Sequence, residues 1–229
     1  MSRAKDIPWR KPCLRIGTIT TLAGLKKISK PIPQADLVEI RYDALRILGV
    51  DTEELLSHLL KRKNPVLLTL RTTREGGNYP WKSRERVLIF EELLDEVDAI
   101  DLELQNIPLV RDILTAARKK KRGIIISSHS LTRKLSYGKG ERFLKQFRHH
   151  RAHVYKLASL ARNRKDLGVL VRLLLDHPQL RLGMMAVGPM SSVSRQILPT
   201  LGSRLVYGYI DEPAAKGQPS LAEVASLLP

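Results

Sequence analysis

Short blocks of apolar residues recur along this chain. Between them lie stretches whose apolar positions repeat every three or four residues. The blocks Cys13–Thr20, Leu37–Tyr42, Pro65–Arg71, Ala99–Leu104, Gly123–Ser128, His153–Ala158, Leu180–Met185 and Leu205–Tyr209 have the length and near-continuous hydrophobicity of strands covered on both faces. The intervening stretches read as amphipathic helices. Asp51 is placed to cap one, with Glu53 and Glu54 in its first turn and Leu55, Leu56, Leu59 and Leu60 behind them, an arrangement favoured at the positive end of a helix dipole. Further helices are expected over Arg84–Glu96, Leu109–Lys121, Glu141–His150, Asp166–His177, Arg195–Leu201 and Leu221–Leu228. The run Arg118 to Arg122 followed by Gly123 reads as a helix C-terminus, with cations facing the dipole and glycine as the left-handed cap.

Strands alternating with helices predict a parallel sheet covered by helices. Eight of them in 229 residues predict an α/β fold of the (β/α)8 TIM barrel kind, as a single domain over residues 1–229 with residues 1–12 as a basic N-terminal extension. An open doubly wound sheet is the alternative. No Gly-rich dinucleotide fingerprint or P-loop follows an early strand.

Composition narrows the function classes. A single cysteine, Cys13, rules out a disulfide framework and a cysteine metal cluster. The segment Met1 to Pro12 is polar and basic without the apolar core of a signal peptide. No apolar run approaches the ~20 residues of a membrane span, so a cytoplasmic protein with no membrane partner is expected. The net charge of +17 is uneven: residues 118–172 hold 17 Lys/Arg against Glu141 and Asp166. Such a segment suits a nucleic-acid surface or a solvated face that attracts small anions. Its few aromatics follow no nucleic-acid motif, so nucleic acid is not the expected partner.

In a barrel, the polar residues at the C-terminal strand ends form the site. The second strand ends in Glu39, Arg41 and Asp43, alternating onto one face. The third delivers Arg71, with Glu75-Gly76-Gly77 beyond it. The fourth carries Asp101 and Glu103, the fifth His129 and the sixth Lys156. Lys156 lies inside the apolar run Val154-Tyr155-Lys156-Leu157-Ala158. Alone, such a lysine reads as a strand-end residue that snorkels to water. Beside an imidazole, carboxylates and guanidinium groups, it reads as a buried amine prepared for imine chemistry on a small anionic keto compound. Burial and neighbouring arginines are expected to keep it neutral. His149, His150 and His153 lie among Arg148 and Arg151, which disfavours a metal site.

Taken in order, the motifs resemble those of type I 3-dehydroquinate dehydratases over nearly the whole chain. Glu39 to Asp43 is similar to the family's E-x-R-x-D, and Arg71 to Gly77 to its R-x-x-x-E-G-G. Ile100 to Leu104 resembles I-D-x-E-L, Ser127-Ser128-His129 resembles S-x-H, and Lys156-Leu157-Ala158 resembles K-x-A. Gly188 to Arg195, with Gly202-Ser203, is similar to G-x-x-x-x-x-S-R…G-S. Gly217-Gln218 matches the end of a lid motif, S-A-P-G-Q. The resemblance implies a barrel, usually dimeric, that converts 3-dehydroquinate to 3-dehydroshikimate through a lysine imine without metal or cofactor. It implies Lys156 as nucleophile, His129 as general base and then acid, and Glu75 as the group that orients His129. Arg195 would bind the substrate carboxylate as a bidentate partner, and Glu39, Arg41, Arg71 and Gln218 would hold the ring hydroxyls and their surroundings. The chain departs from the family at Ser130, where Asp commonly stands, and at Leu131 to Lys134, which lacks Thr-Pro. It also departs at Ala214-Ala215-Lys216, in place of Ser-Ala-Pro. An aldolase-like Schiff-base barrel and a basic barrel that binds a polyanion are the alternatives.

Overall fold

The computed structural model describes residues 5–214 and 217–227. Strands β1 (Leu14–Ile19), β2 (Leu37–Arg41), β3 (Val66–Thr69), β4 (Ala99–Glu103), β5 (Gly123–Lys134), β6 (Val154–Leu160), β7 (Leu182–Val187) and β8 (Leu205–Tyr209) form one parallel sheet. Each pairs with its chain neighbours up to β7, and β8 returns to pair with β1. The expected eight-stranded barrel is present.

No ladder joins β7 to β8 among the described residues. The seam is held by other groups. At its lower end Arg204 N–H donates to the Leu182 carbonyl, 2.7 Å. The buried Ser203 hydroxyl accepts from Met184 N–H, 2.9 Å, and lies 3.2 Å from the Met184 and Leu205 carbonyls. At the upper end the Arg195 guanidinium spans the gap, with Nε donating to Tyr207 O at 3.2 Å and Nη1 to Ala186 O at 3.4 Å.

Inside the barrel, side chains change character along each strand. Leu37, Leu67, Ala99, Ile125 and Val154 pack with Leu14, Ile16 and Leu205 as an apolar lower layer. Two and four residues further along come Glu39 and Arg41, Thr69 and Arg71, Asp101 and Glu103, Ser127 and His129. Strand period two keeps each set on the inner face. The barrel floor is closed by the N-terminal segment, whose Ile7 and Trp9 pack against the lower layer. Trp9 stacks on His153 with centroids 4.7 Å apart, and its carbonyl accepts from Arg204.

Helices α1 (Leu22–Lys27), α2 (Tyr42–Ile47), α3 (Thr52–Leu59), α4 (Ser83–Leu93), α5 (Arg111–Lys119), α6 (Tyr137–Arg148), α7 (Arg164–Asp176), α8 (Ser191–Thr200) and α9 (Leu221–Leu227) surround the sheet. Their apolar faces and the outer faces of the strands form the larger core. The expected cap at Asp51 is present, its carboxylate accepting from Glu54 N–H at 2.8 Å. Two short helices, α1 and α2, were not expected from periodicity. The first begins at Thr21, whose hydroxyl accepts from Gly24 N–H at 3.1 Å.

Two expectations are corrected. The left-handed residue after α5 is Lys121, φ +55°, not Gly123. Gly123 instead opens β5, where a Cβ would come within 2.5 Å of the Trp9 ring and 2.8 Å of Ala99 Cβ; its lack of a side chain makes room for the floor. Asp43 is not a third inward strand residue. β2 ends at Arg41, and Asp43 lies in the first turn of α2. Among the described residues, no helix is long and apolar enough to cross a membrane.

Candidate active site

A cavity of about 150 Å³ opens at the C-terminal ends of the strands. Its lining includes Glu39, Arg41, Arg71, Glu75, His129, Lys156, Arg195 and Gln218. All eight residues singled out from sequence therefore meet in one place, brought from β2, β5, β6, α8 and the loops after β3 and β8.

Lys156 is 4% exposed and does not snorkel. Its Nζ lies 3.3 Å from Asp101 Oδ2 and 3.6 Å from Glu39 Oε1. The Tyr207 ring lies beneath it, centroid 4.1 Å away, where the π face attracts a cation. The amine's closest charged partners are thus carboxylates rather than the expected arginines. Arg71 stands behind them: its Nη2 is 3.1 Å from the same Asp101 oxygen, and Nη1 donates to Ser127 Oγ at 2.9 Å. Glu103 and Glu75 lie 3.5 and 3.8 Å from Arg71. Burial alone would raise the Asp101 pKa, but Arg71, Lys156 and the Ser127 hydroxyl hold it below the ordinary carboxylate value. Glu39 is fixed by Thr69 Oγ1 at 2.9 Å and Thr18 Oγ1 at 3.2 Å.

His129 and Glu75 form a buried pair. Glu75 Oε2 lies 2.8 Å from His129 Nδ1 and accepts from the His129 backbone N–H at 3.1 Å, which leaves Nε2 as the ring nitrogen for the cavity. Burial first, then Glu103 and Asp101, raise Glu75 to about 8 against the pull of Arg71. Burial, with the nearby charges of Arg71, Lys156 and Arg41, lowers His129 well below its ordinary value. Both effects disfavour an imidazolium–carboxylate pair, so at neutral pH the two groups are neutral together. Loss of the carboxyl proton then leaves Nδ1–H donating to a carboxylate and Nε2 with a free lone pair, the form of a general base.

The loop carrying Glu75 is shaped by two glycines. Gly76 takes φ +85°, and a Cβ on Gly77 would meet the Arg71 carbonyl at 2.1 Å, so the backbone folds flat against the end of β3. Arg41 anchors this loop from the side, forking Asp43 at 2.8 and 2.7 Å and reaching Gly76 O at 3.3 Å, while Asp43 also accepts from Asn78 N–H at 2.9 Å.

Arg195 lines the cavity from the β7–β8 seam. Burial lowers its pKa to about 10, which leaves it a cation at neutral pH. Its Nη1 donates to Ser191 O at 3.0 Å and to the Ser191 hydroxyl, and its Nε is committed to Tyr207 O. Of its three nitrogens, Nη2 alone has no partner among the described residues, and it is the one left to meet a ligand. Gln218 faces the same side, accepting from Ala214 N–H at 2.8 Å, with Nε2 3.5 Å from Thr18 Oγ1. Ala214 lines the cavity; Ala215 and Lys216 lie outside the described residues. Ser130 points away from the cavity and donates to Arg133 O at 2.8 Å, whereas Leu131 lines it and packs over Gly76.

Sequence reasoning placed Asp101 at the end of the fourth strand without giving it a role, and it did not select Tyr207, Thr18 or Ser191. Tyr207 carried no signal, since an aromatic in an apolar run reads as core.

A parallel barrel, bridged by side chains at the β7–β8 seam, with an amine, an imidazole–carboxyl pair and a cation around one small cavity is an arrangement suited to lysine imine chemistry. Residues 13–229 match the model of the family described as type I 3-dehydroquinase, and the chain belongs to that family. It is 31% identical over 204 residues to the 3-dehydroquinate dehydratase of Methanosarcina barkeri, covering 85% of this chain and 84% of that protein. The 3-dehydroquinate dehydratase of Geobacillus kaustophilus superposes with a TM-score of 0.84 at 21% identity, over 94% of this chain and 90% of that one. The corresponding enzyme of Aquifex aeolicus superposes with a TM-score of 0.72 at 25% identity, over 93% and 96%.

Proposed function

We infer that this protein is a 3-dehydroquinate dehydratase, a hydro-lyase that converts 3-dehydroquinate to 3-dehydroshikimate and water by way of a lysine imine. The observation that carries the assignment of roles is the buried Lys156 amine in the same cavity as the His129–Glu75 pair and the free Arg195 nitrogen. Lys156 Nζ attacks the C3 ketone, and loss of water gives a protonated imine. The imine acidifies the C2 hydrogen. His129 Nε2 takes that proton, the electron pair moves into the imine to give an enamine, and the C1 hydroxyl departs with the proton returned by His129. Hydrolysis then releases the product and the amine. Glu75 keeps the His129 ring in place. Arg195 Nη2 meets the C1 carboxylate, and Glu39, Arg41, Arg71 and Gln218 hold the ring hydroxyls and the network behind them.

Incubation with 3-dehydroquinate and borohydride is expected to leave a reduced adduct on Lys156, read by peptide mass spectrometry. Lys156→Ala is expected to lose both the adduct and turnover. An unmodified Lys156 in a protein that still forms enone product would refute the imine route. His129→Ala is expected to keep the adduct and lose roughly 100-fold or more in rate.

We further propose that the chain is one catalytic domain that works as a cytoplasmic homodimer. The family resemblance supports the dimer, and light scattering that returns a monomer mass of 25.9 kDa would refute it.

A further inference from the structure

The family motif Gly188 to Arg195 leaves the position of Ser191 open, yet this side chain occupies a junction. Ser191 is 3% exposed and begins α8. Its hydroxyl accepts from Arg195 Nη1 and donates to the Gly217 carbonyl at 3.1 Å. Its own carbonyl accepts from the same Nη1 at 3.0 Å. The hydroxyl thus uses its one proton on the loop after β8 and a lone pair on the cation. A guanidinium donor polarises it and strengthens the bond it gives to Gly217.

The loop is fitted to this contact. Gly217 takes φ +78°, and a Cβ placed on it would sit 3.7 Å from Ser191 Cβ, so the turn lies directly against the serine. The next residue is Gln218, which faces the cavity. At Ala214, where the related motif has serine, this chain has no hydroxyl.

We propose that Ser191 is a positioning residue that fixes Arg195 and the Gly217–Gln218 turn in one arrangement around the substrate carboxylate. It commits Nη1, which leaves Nη2 as the nitrogen aimed at the cavity, and it restrains from outside the turn a loop that has alanine at position 214. The proposal rests on Arg195 gripping the carboxylate.

The test compares steady-state kinetics with 3-dehydroquinate for wild type, Ser191→Ala and Arg195→Ala. Because the carboxylate is held in both ground and transition states, Ser191→Ala is expected to raise KM about tenfold, the size of one hydrogen bond to a charged group. Its kcat is expected to stay within about threefold of wild type. Ser191→Gly, which also lacks the hydroxyl, is expected to show the same split and serves if the alanine variant does not fold. An unchanged KM, or a loss confined to kcat, overturns the proposal. If Arg195→Ala leaves KM at the wild-type value, the carboxylate reading itself fails. A raised KM in Arg195→Ala beside a wild-type KM in Ser191→Ala refutes the role of Ser191 alone.

Discussion

With His129 as the proposed general base, its pairing with Glu75 is expected to set the acid side of the pH profile. The carboxyl is raised to about 8 chiefly by burial, and the imidazole cannot take up the proton because burial and Arg71 oppose a second cation there. The base-competent form of His129 therefore appears as pH rises through about 8. Arg195, lowered to about 10 by burial, loses its charge on the alkaline side. A bell-shaped kcat/KM is expected, rising through about 8 and falling through about 10. Glu75→Gln removes the titrating carboxyl and is expected to abolish the lower limb while slowing the reaction; a limb that stays in place in this variant would assign it to another group. Stability follows with the opposite sign. A carboxyl whose folded pKa is raised favours the folded state below its ordinary value of 4.5. That contribution is lost as pH climbs to about 8. Glu75→Gln is accordingly expected to unfold with less pH dependence over that window.

The strands were the most legible elements, because a strand covered on both faces leaves an uninterrupted apolar run. β8 was read with the bounds it has, Leu205–Tyr209. The change from apolar to polar along the inner face, as in Leu67, Thr69 and Arg71, was also readable, and it located the site. The short helices α1 and α2 were not, since six residues carry too few turns to show a period. The seam was invisible for a different reason: Ser203 and Arg195 replace a ladder with side-chain bonds, and no local pattern announces a missing strand pair. The N-terminal floor was equally hidden, because Ile7 and Trp9 find their partners only in three dimensions. Its anchor is Asp98, at the start of β4. Asp98 receives Arg62 Nε and Nη2 at 3.0 and 3.1 Å, Val66 N–H at 2.8 Å and Lys5 N–H at 2.6 Å. The Arg62–Asp98 pair is fully buried. Removing the carboxylate takes the ion-pair partner from a buried guanidinium, so Asp98→Ala is expected to cost roughly 3–5 kcal/mol of unfolding free energy. A denaturant midpoint within error of wild type would show that the arginine relaxes to water instead.

At the scale of the whole molecule, the inner charges nearly cancel and the excess of +17 lies outside. The basic segment 118–172 divides between the two faces of the barrel. Arg118 to Arg122 and Arg148 to Arg151 precede β5 and β6 and stand on the floor side. Arg133 and Lys134 at the end of β5, and Arg162, Arg164 and Lys165 beyond β6, stand on the side of the cavity mouth. The substrate is an anion, and a positive field at the mouth raises its local concentration. The two groups, whose lysines and arginines are exposed apart from Arg122, should then differ in effect. Reversing Arg162 and Lys165 to glutamate is expected to lower kcat/KM severalfold at low ionic strength, whereas reversing Lys119 and Arg151 changes it much less. At about 1 M salt the Debye length shrinks to ~3 Å, and the gap between the two double variants should close. Equal losses from both faces would make the charge a property of overall attraction rather than of the mouth, and a gap that survives high salt would point to a structural effect of Arg162 or Lys165 on the loop that follows Lys156.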